Sequence, residues 1–463
     1  MTRKFYLMLL MLVMATMSVN AQRTMDKLDR GLVAVKTGSG IFCSWRIMGE
    51  EYYDVTYNIY RDGTKLNATP LTTSNYTDAS GSTSSKYTVS AVVRGKDQAQ
   101  CKAVTPWAQS YLEIVPDHSP LTSTFEPNDA CMADVDGDGE LELIIKMWNR
   151  TDANAGYPRG GANGEYNVIE VYKLNGKKLW WIDCGPNLGD FQFNETNIVA
   201  YDWDQDGKAE ALMRAADGTT IHMADGTTQV IGDKSKNYRA SSSSGQWFIH
   251  DGAEYLVYMN GETGKPYQVM DYPLTRESAS AWGDGYGHRS SKYFFGAPYL
   301  DGRKPSIFLG RGIYTRHKFA AYDVDPNTHQ LSERWRWECN DASSPWYGNG
   351  YHNYGVADVD WDGRDEIVWG SMVIDDNGRG LSTTGLGHGD AQHHGDFNPY
   401  VHGHEIFACN EDLPSNNYRD ATTSKIYYRM AGGSDDGRGM CGNFSNDIQD
   451  VWEFQDMTHL SVP

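Results

Sequence analysis

Short apolar runs separated by Gly, Asn and Asp dominate the chain, and where a period can be measured it is two, the period of a β-strand. In residues 40–48, Ile41, Cys43, Trp45 and Ile47 alternate with other residues, which predicts a strand that buries those four side chains on one face. Tyr57-Asn58-Ile59-Tyr60 runs into Arg61-Asp62-Gly63, a strand ending in a hairpin turn. After Ser80-Gly81-Ser82 the alternation resumes at Tyr87, Val89, Ala91 and Val93. Short strands around a buried Trp predict a small fibronectin III-like β-sandwich over residues 24–105, with residues 106–120 as a linker.

From residue 121 onward no amphipathic helix is apparent, and the pattern becomes repetitive. Asp134-Val135-Asp136-Gly137-Asp138-Gly139-Glu140-Leu141-Glu142 recurs as Asp202-Trp203-Asp204-Gln205-Asp206-Gly207-Lys208-Ala209-Glu210 and as Asp358-Val359-Asp360-Trp361-Asp362-Gly363-Arg364-Asp365-Glu366. Each copy leads into an apolar run: Leu143-Ile144-Ile145, Ala211-Leu212-Met213 and Ile367-Val368-Trp369. Degenerate copies precede Ile307-Phe308-Leu309 and Ile406-Phe407. Strand pairs such as 168–172 and 179–181, joined by a Leu174-Asn175-Gly176-Lys177 turn, lie between the copies. Loop, strand, turn, strand at intervals of tens of residues predicts a β-propeller over residues 121–463 and an all-β protein overall.

The repeated loops carry chemistry. Carboxylates at alternate positions, a Gly for the sharp turn, a carbonyl at the seventh position and a closing carboxylate at the ninth make an oxygen shell for a hard cation, with calcium the expected ion. No entering helix precedes them, unlike an EF-hand. Such ions either serve the substrate or only fasten blade edges, and the second loop fits the fastening role better. A second concentration of functional side chains is His352-Asn353 together with Gly387-His388-Gly389-Asp390-Ala391-Gln392-His393-His394; five of the 13 His fall between His388 and His404. Arg438 lies between Gly437 and Gly439, a setting that suits either a bidentate clamp on a carboxylate or an ordinary turn arginine. Tyr293-Phe294-Phe295 and Arg311-Gly312-Ile313-Tyr314-Thr315-Arg316 fit either sugar contact or blade core.

Composition narrows the partners. The formal charge is −20, from 41 Lys and Arg against 61 Asp and Glu. Nucleic acid is excluded as a partner, because phosphate neutralisation needs clustered cations. An acidic polysaccharide is disfavoured too, unless bound cations reverse the local field. Arg3 and Lys4, the apolar run from Phe5 to Met17 and Val19-Asn20-Ala21 predict a signal peptide over residues 1–21, hence a secreted or periplasmic protein with no membrane span in the mature chain. Seven scattered Cys without a CxxC exclude a zinc ribbon and a disulfide scaffold.

Several strings together resemble family 11 polysaccharide lyases, the calcium-dependent rhamnogalacturonan lyases. They are Met25-Asp26-Lys27-Leu28-Asp29-Arg30-Gly31-Leu32, Ser44-Trp45-Arg46, Asn58-Ile59-Tyr60-Arg61-Asp62-Gly63, Pro127-Asn128-Asp129-Ala130, Ala216-Asp217-Gly218-Thr219, Ser280-Ala281-Trp282-Gly283-Asp284, Tyr314-Thr315-Arg316 and Thr384-Gly385-Leu386-Gly387-His388-Gly389-Asp390-Ala391. The resemblance implies a small β-domain before an eight-bladed propeller, of which about six blade equivalents are present. It implies calcium ligation by Asp129, Asp134, Asp136, Asp138, Glu140 and Glu142 in a first set. A second set is Asp202, Asp204, Asp206, Lys208 and Glu210. A third is His352, Asp358, Asp360, Asp362, Arg364 and Glu366, with His388 and Asp390 nearby; Lys208 and Arg364 would ligate through carbonyl oxygens. Asn128 and Arg438 would face the substrate.

The resemblance has two departures. Asp190-Phe191-Gln192-Phe193-Asn194-Glu195 replaces a His-containing segment usual in the family. The chain also stops at Pro463 in mid-pattern, so closing blades are expected to be missing, together with a lysine that is a candidate base in the family. No residue inherits that role by motif, which leaves His388 and His393 as candidates. The implied activity is cleavage of rhamnogalacturonan I between rhamnose and galacturonate by β-elimination, by a protein expected to be monomeric when complete. The alternative readings are a calcium-fastened propeller that binds pectic glycans or protein partners without cutting, and a calcium-fastened glycoside hydrolase.

Overall fold

The computed structural model describes residues 23–25, 27–49, 51, 54–149, 164–188, 198–238, 248–249, 251–398, 400–442 and 452–455. The leader 1–21 and the segment 190–195 lie outside them. Among the described residues, every regular element is a strand apart from two short 3₁₀ turns, Ala279–Trp282 and Arg289–Ser291.

Two sheets form the N-terminal sandwich. One pairs Val33–Thr37, Gly40–Ser44 and Asn75–Asp78; the other pairs Thr64–Lys65, Thr56–Arg61, Tyr87–Val93 and Lys96–Gln100. The alternation explains the core: Ile41, Cys43, Trp45, Tyr57, Ile59, Tyr87, Val89 and Ala91 are buried between the sheets. The Asp62-Gly63 turn has φ of 51° and 80°, the left-handed pair a two-residue hairpin requires. Ile47, expected on the buried face, is 63 % exposed, because the strand ends at Ser44 and the alternation has no ladder to continue on. Trp107, expected in the linker, still exchanges backbone hydrogen bonds with Ala34 and Lys36 of the sandwich.

The rest is a β-propeller whose blades follow one another along the chain, except that two strands lying between the second and third strands of the second blade join the first. The first blade holds Phe125–Ala133, Glu142–Asn149, Val168–Tyr172 and Lys178–Asp183, extended by Thr220–His222 and Thr228–Val230. The second holds Ile198–Tyr201, Glu210–Ala216, Glu254–Met259 and Pro266–Asp271; the third Tyr293–Gly296, Ile307–Arg311, His317–Val324 and Leu331–Cys339. The fourth holds Gly355–Ala357, Glu366–Trp369, Met372–Ile374 and Gly380–Thr383, and the fifth Gly389–Gly395, Glu405–Asn410, Ser415–Asp420 and Ile426–Ala431. A two-stranded pair, Gly439–Gly442 with Trp452–Gln455, follows.

Second strands are buried on both faces, as in Glu210–Ala216 and Ile307–Arg311, because each blade is covered by its neighbours. Trp369 of the fourth blade lies 4.6 Å from the Phe319 ring of the third, and Trp180 of the first donates its indole N–H to Gly261 O in the turn of the second at 2.7 Å. Truncating such an aromatic costs roughly 3–5 kcal/mol. Fourth strands are half-exposed at the rim.

Antiparallel pairing decides where loops lie. In every blade the loop between the first and second strands shares one end of the sheet with the turn between the third and fourth. The segment entering the first strand and the turn between the second and third lie at the opposite end.

Candidate functional site

The three acidic loops all join first strands to second strands, so they gather at one end of the propeller. Each is shaped by the same bonds. The closing glutamate accepts the N–H seven residues earlier: Val135 to Glu142 at 2.9 Å, Trp203 to Glu210 at 3.1 Å, Val359 to Glu366 at 2.8 Å. The fourth position of the loop is left-handed in all three, at Gly137, Gln205 and Trp361. The resulting groups of mutually close carboxylates are Asp134, Asp136 and Glu142; Asp202, Asp204, Asp206 and Glu210; and Asp358, Asp360 and Glu366, the last also beside Asp375 and Asp376. Burial, then the charge of Asp204, pushes the Glu210 carboxyl up to about 9. Burial, followed by Asp360 and Asp358, does the same to Glu366, also to about 9. Packing like charges this closely is unfavourable unless protons or cations neutralise them, and the oxygen-only donor sets fit a hard divalent cation.

At the opposite end, segments from three blades converge. His352 precedes the first strand of the fourth blade, His388 precedes that of the fifth, and Asp390 is on it. These three form a further group of potential metal ligands. His352 Nε2 is 3.3 Å from Asp390 Oδ1, and the two imidazoles are 5.1 Å apart. His388 is completely buried. Its Nδ1 lies 2.5 Å from Gly350 O, so that nitrogen carries the proton and Nε2 presents a lone pair. That lone pair has no hydrogen-bond donor and points toward Glu411 Oε2 at 3.4 Å and Asp390 Oδ1 at 4.0 Å. A donorless lone pair aimed at two carboxylates suits a cation, for which Glu411 and Asp390 add the oxygen ligands that calcium prefers.

Burial, then the neighbouring His388, holds the His352 imidazole down to about 3, and burial lowers His388 as well. Both rings are therefore neutral near pH 7, the ligating form. Tyr314, on the second-to-third-strand turn of the third blade, brings its hydroxyl 3.3 Å from His352 Nε2 and its ring 4.1 Å from that of His388. Arg438, 64 % exposed, pairs with Asp390 at the rim.

Several expected groupings differ in the structure. His352 does not join the third acidic loop: the strand Gly355–Ala357 runs between them, and six residues at about 3.3 Å each span roughly 20 Å. Asp129 is exposed on the strand Phe125–Ala133, beside Asn128 at a break in the register between Pro127 and Ala130, and stays outside the first carboxylate group. Glu140 turns outward to Lys102 of the sandwich at 3.3 Å. Asp138 and Asp362 cap the backbone N–H of Glu140 and Arg364 and also lie outside their groups. The side chains of Lys208 and Arg364 pair with Glu262 and Asp376, which is compatible with the expected ligation through their carbonyl oxygens. His393 is exposed, with Nε2 2.8 Å from Gly439 O, rather than in the histidine cluster. Glu411 and Gly350 carry no sequence signal, because strand pairing within the fifth blade brings the first to His388 and the packing of the fourth blade brings the second. A cavity of about 570 Å³ between residues 23–30 and the sandwich shares no residue with that cluster.

Comparisons with known proteins agree along most of the chain. The family described as Rhamnogalacturonan lyase family 11, C-terminal domain, matches residues 115–461, and that described as Rhamnogalacturonan I lyases beta-sheet domain matches residues 23–107. The chain is 41 % identical to the rhamnogalacturonan endolyase YesW of Bacillus subtilis, over 96 % of this chain and 72 % of the relative. It is 39 % identical to the exolyase YesX of the same organism, over 91 % of this chain and 69 % of the relative. The crystal structure of YesW superposes with a TM-score of 0.81 at 39 % identity, over 94 % of this chain and 74 % of that one. Sequence, sandwich and propeller agree: this chain belongs to rhamnogalacturonan lyase family 11 and is a polysaccharide lyase.

Proposed function

We propose that the protein is a calcium-dependent lyase of rhamnogalacturonan I, cleaving rhamnose-(1,4)-galacturonate linkages by β-elimination, with calcium held by His352, His388 and Asp390 and, for fastening blades, by the second and third acidic loops. The observation that carries this reading is the buried His388 Nε2, converging without a donor on Asp390, Glu411 and His352. A uronate carries an acidifiable proton at C5 and a leaving group at C4. Calcium held by His352, His388 and Asp390 would supply positive charge for a uronate carboxylate and so make that proton easier to lose.

The chain's own residues do the rest. Arg438 swings from Asp390 to fork the uronate carboxylate, and Asn128 lines the substrate path. Of the two candidates for accepting the C5 proton, His388 commits its lone pair to the ligand group. His393 donates Nε2–H to Gly439 O and presents Nδ1 as acceptor, which suits it to the base role. The positive charges of the cation and Arg438 let a protein of charge −20 hold a pectic polyanion.

No helix among the described residues is long and apolar enough to cross a membrane; with the predicted leader, the polysaccharide substrate supports a secreted or periplasmic location. Incubation with rhamnogalacturonan I tests the reading. Ultraviolet absorbance of a 4,5-unsaturated uronide, lost in EGTA and restored by calcium, is the expected result. Reducing ends without that absorbance would indicate hydrolysis instead.

A further inference from the structure

The three acidic loops are copies in sequence, but the residue that faces each from the adjacent turn is not. In the first blade, Lys173 follows the third strand. Its N–H donates to Lys177 O at 2.9 Å, and Gly176 N–H donates to Lys173 O at 2.8 Å. In the fourth blade, Asp375 makes the same two bonds, its N–H to Arg379 O at 2.7 Å and Gly378 N–H to Asp375 O at 2.8 Å. In the second blade the corresponding residue is Asn260, whose N–H donates to Lys265 O and whose carbonyl accepts from Gly264, both at 2.9 Å. One structural position thus holds a cation, an amide and an anion in turn.

The loops respond accordingly. Lys173 Nζ is 2.6 Å from Asp136 Oδ2, 3.0 Å from Asp138 Oδ2 and 3.3 Å from Glu142 Oε1, so each of its three N–H groups has a carboxylate to meet. Both oxygens of Asp134 are occupied as well, by the N–H groups of Gly137, Asp138 and Gly139 at 2.8, 3.1 and 2.8 Å. In the third loop, Asp358 receives the N–H of Gly363 on Oδ2 alone. Its Oδ1 and the Oε1 of Glu366 are buried with no hydrogen-bond donor, against Asp136 Oδ1 in the first group, and Asp375 and Asp376 add carboxylates to the third.

We infer that the first acidic loop is closed by the tethered ammonium of Lys173 in place of a divalent cation, so that the three sequence-equivalent loops are not equivalent metal sites. An ammonium and a divalent ion would compete for the same oxygens and repel each other across them. The tether keeps the ammonium at high effective concentration, so no chelator removes it. The contrast with the third loop rests on the calcium reading above; the assignment of Lys173 does not.

Elemental analysis of the intact protein after dialysis against calcium tests it. Asp136→Asn is expected to leave bound calcium unchanged, and Asp360→Asn to lower it by one equivalent. Lys173→Met is expected to gain one equivalent and to melt lower than the unmodified protein in EGTA. Loss of one equivalent in Asp136→Asn, or no gain in a folded Lys173→Met, overturns the inference. Should Lys173→Met fail to fold, Lys173→Gln and Asp136→Asn decide. An unmodified protein with no bound calcium would overturn the calcium reading instead, and the gain in Lys173→Met would still judge the lysine.

Discussion

Arg23 Nη2 lies 2.7 Å from Asp365 Oδ1, which ties the N-terminal segment to the third acidic loop. Thr24 then accepts from Gln205 of the second loop at 3.1 Å and from the Tyr299 hydroxyl at 2.8 Å. Asp29 N–H donates to Gly139 O of the first loop at 3.2 Å. Residues 23–29 therefore cross all three loops, and the sandwich is docked on the same end of the propeller that carries the carboxylates.

Arg23→Ala should destabilise the protein by about 1–2 kcal/mol, because it leaves the buried Asp365 carboxylate without its cation while Arg23 itself is partly solvated. Thermal unfolding measures this, with Asp365→Asn as the comparison that removes the stranded charge. Equal melting temperatures for Arg23→Ala and the unmodified protein would show that the strap contributes nothing.

Metal removal should make stability depend on pH. The Glu210 and Glu366 carboxyls rise from 4.5 to about 9 when no ion is present, through burial and their neighbouring aspartates. The folded metal-free protein then holds protons that the unfolded chain has released. Its stability falls as pH rises from about 4.5 through about 9. In EGTA the melting temperature should drop across that window, and saturating calcium should flatten the slope. A flat profile in EGTA would contradict it.

His352→Ala should weaken metal binding at the histidine cluster. Loss of an outer partner of a metal ligand costs about 10–100-fold in affinity, and loss of a ligand should cost at least as much. Calcium titration of lyase activity reads the shift, while His393→Ala should lower kcat without moving the calcium dependence. If both substitutions shift the calcium midpoint equally, His393 belongs with the ligands.

Arg438→Lys should raise KM for galacturonate-bearing oligosaccharides, since an ammonium cannot reproduce the planar fork. Arg438 is 64 % exposed, so the unfolding free energy should stay within about 0.5 kcal/mol of that of the unmodified protein. Unchanged KM in Arg438→Ala would remove the residue from the site.

Gly350→Ala should cost both activity and stability. A side chain there would collide with Trp369 and His317, both fully buried, at about 1–3 kcal/mol. It would also displace the carbonyl that fixes the His388 tautomer. A kcat loss with a calcium dependence shifted in the same direction as His352→Ala is the expected signature.

The local pattern alone determined a great deal here. Period-two alternation placed Ile41, Cys43, Tyr87 and Val89 in the sandwich core, and the recurring Asp-x-Asp-x-Asp-Gly strings located the loops and the strands after them, because both depend on neighbours within one strand or one turn. The tertiary structure decided what those loops face. His352 and Asp358 are six residues apart in the chain and at opposite ends of a strand, so the members of the third set that the family resemblance implied lie at two different ends of the blade. His388 meets Glu411 through the pairing of the first two strands of the fifth blade, and meets Gly350 because the fourth and fifth blades pack side by side. Lys173 is 37 residues from Asp136, yet it reaches that loop through a hairpin that antiparallel pairing brings to the same end. A repeat in the sequence fixes the shape of each loop, but the charge it encounters comes from another strand pair.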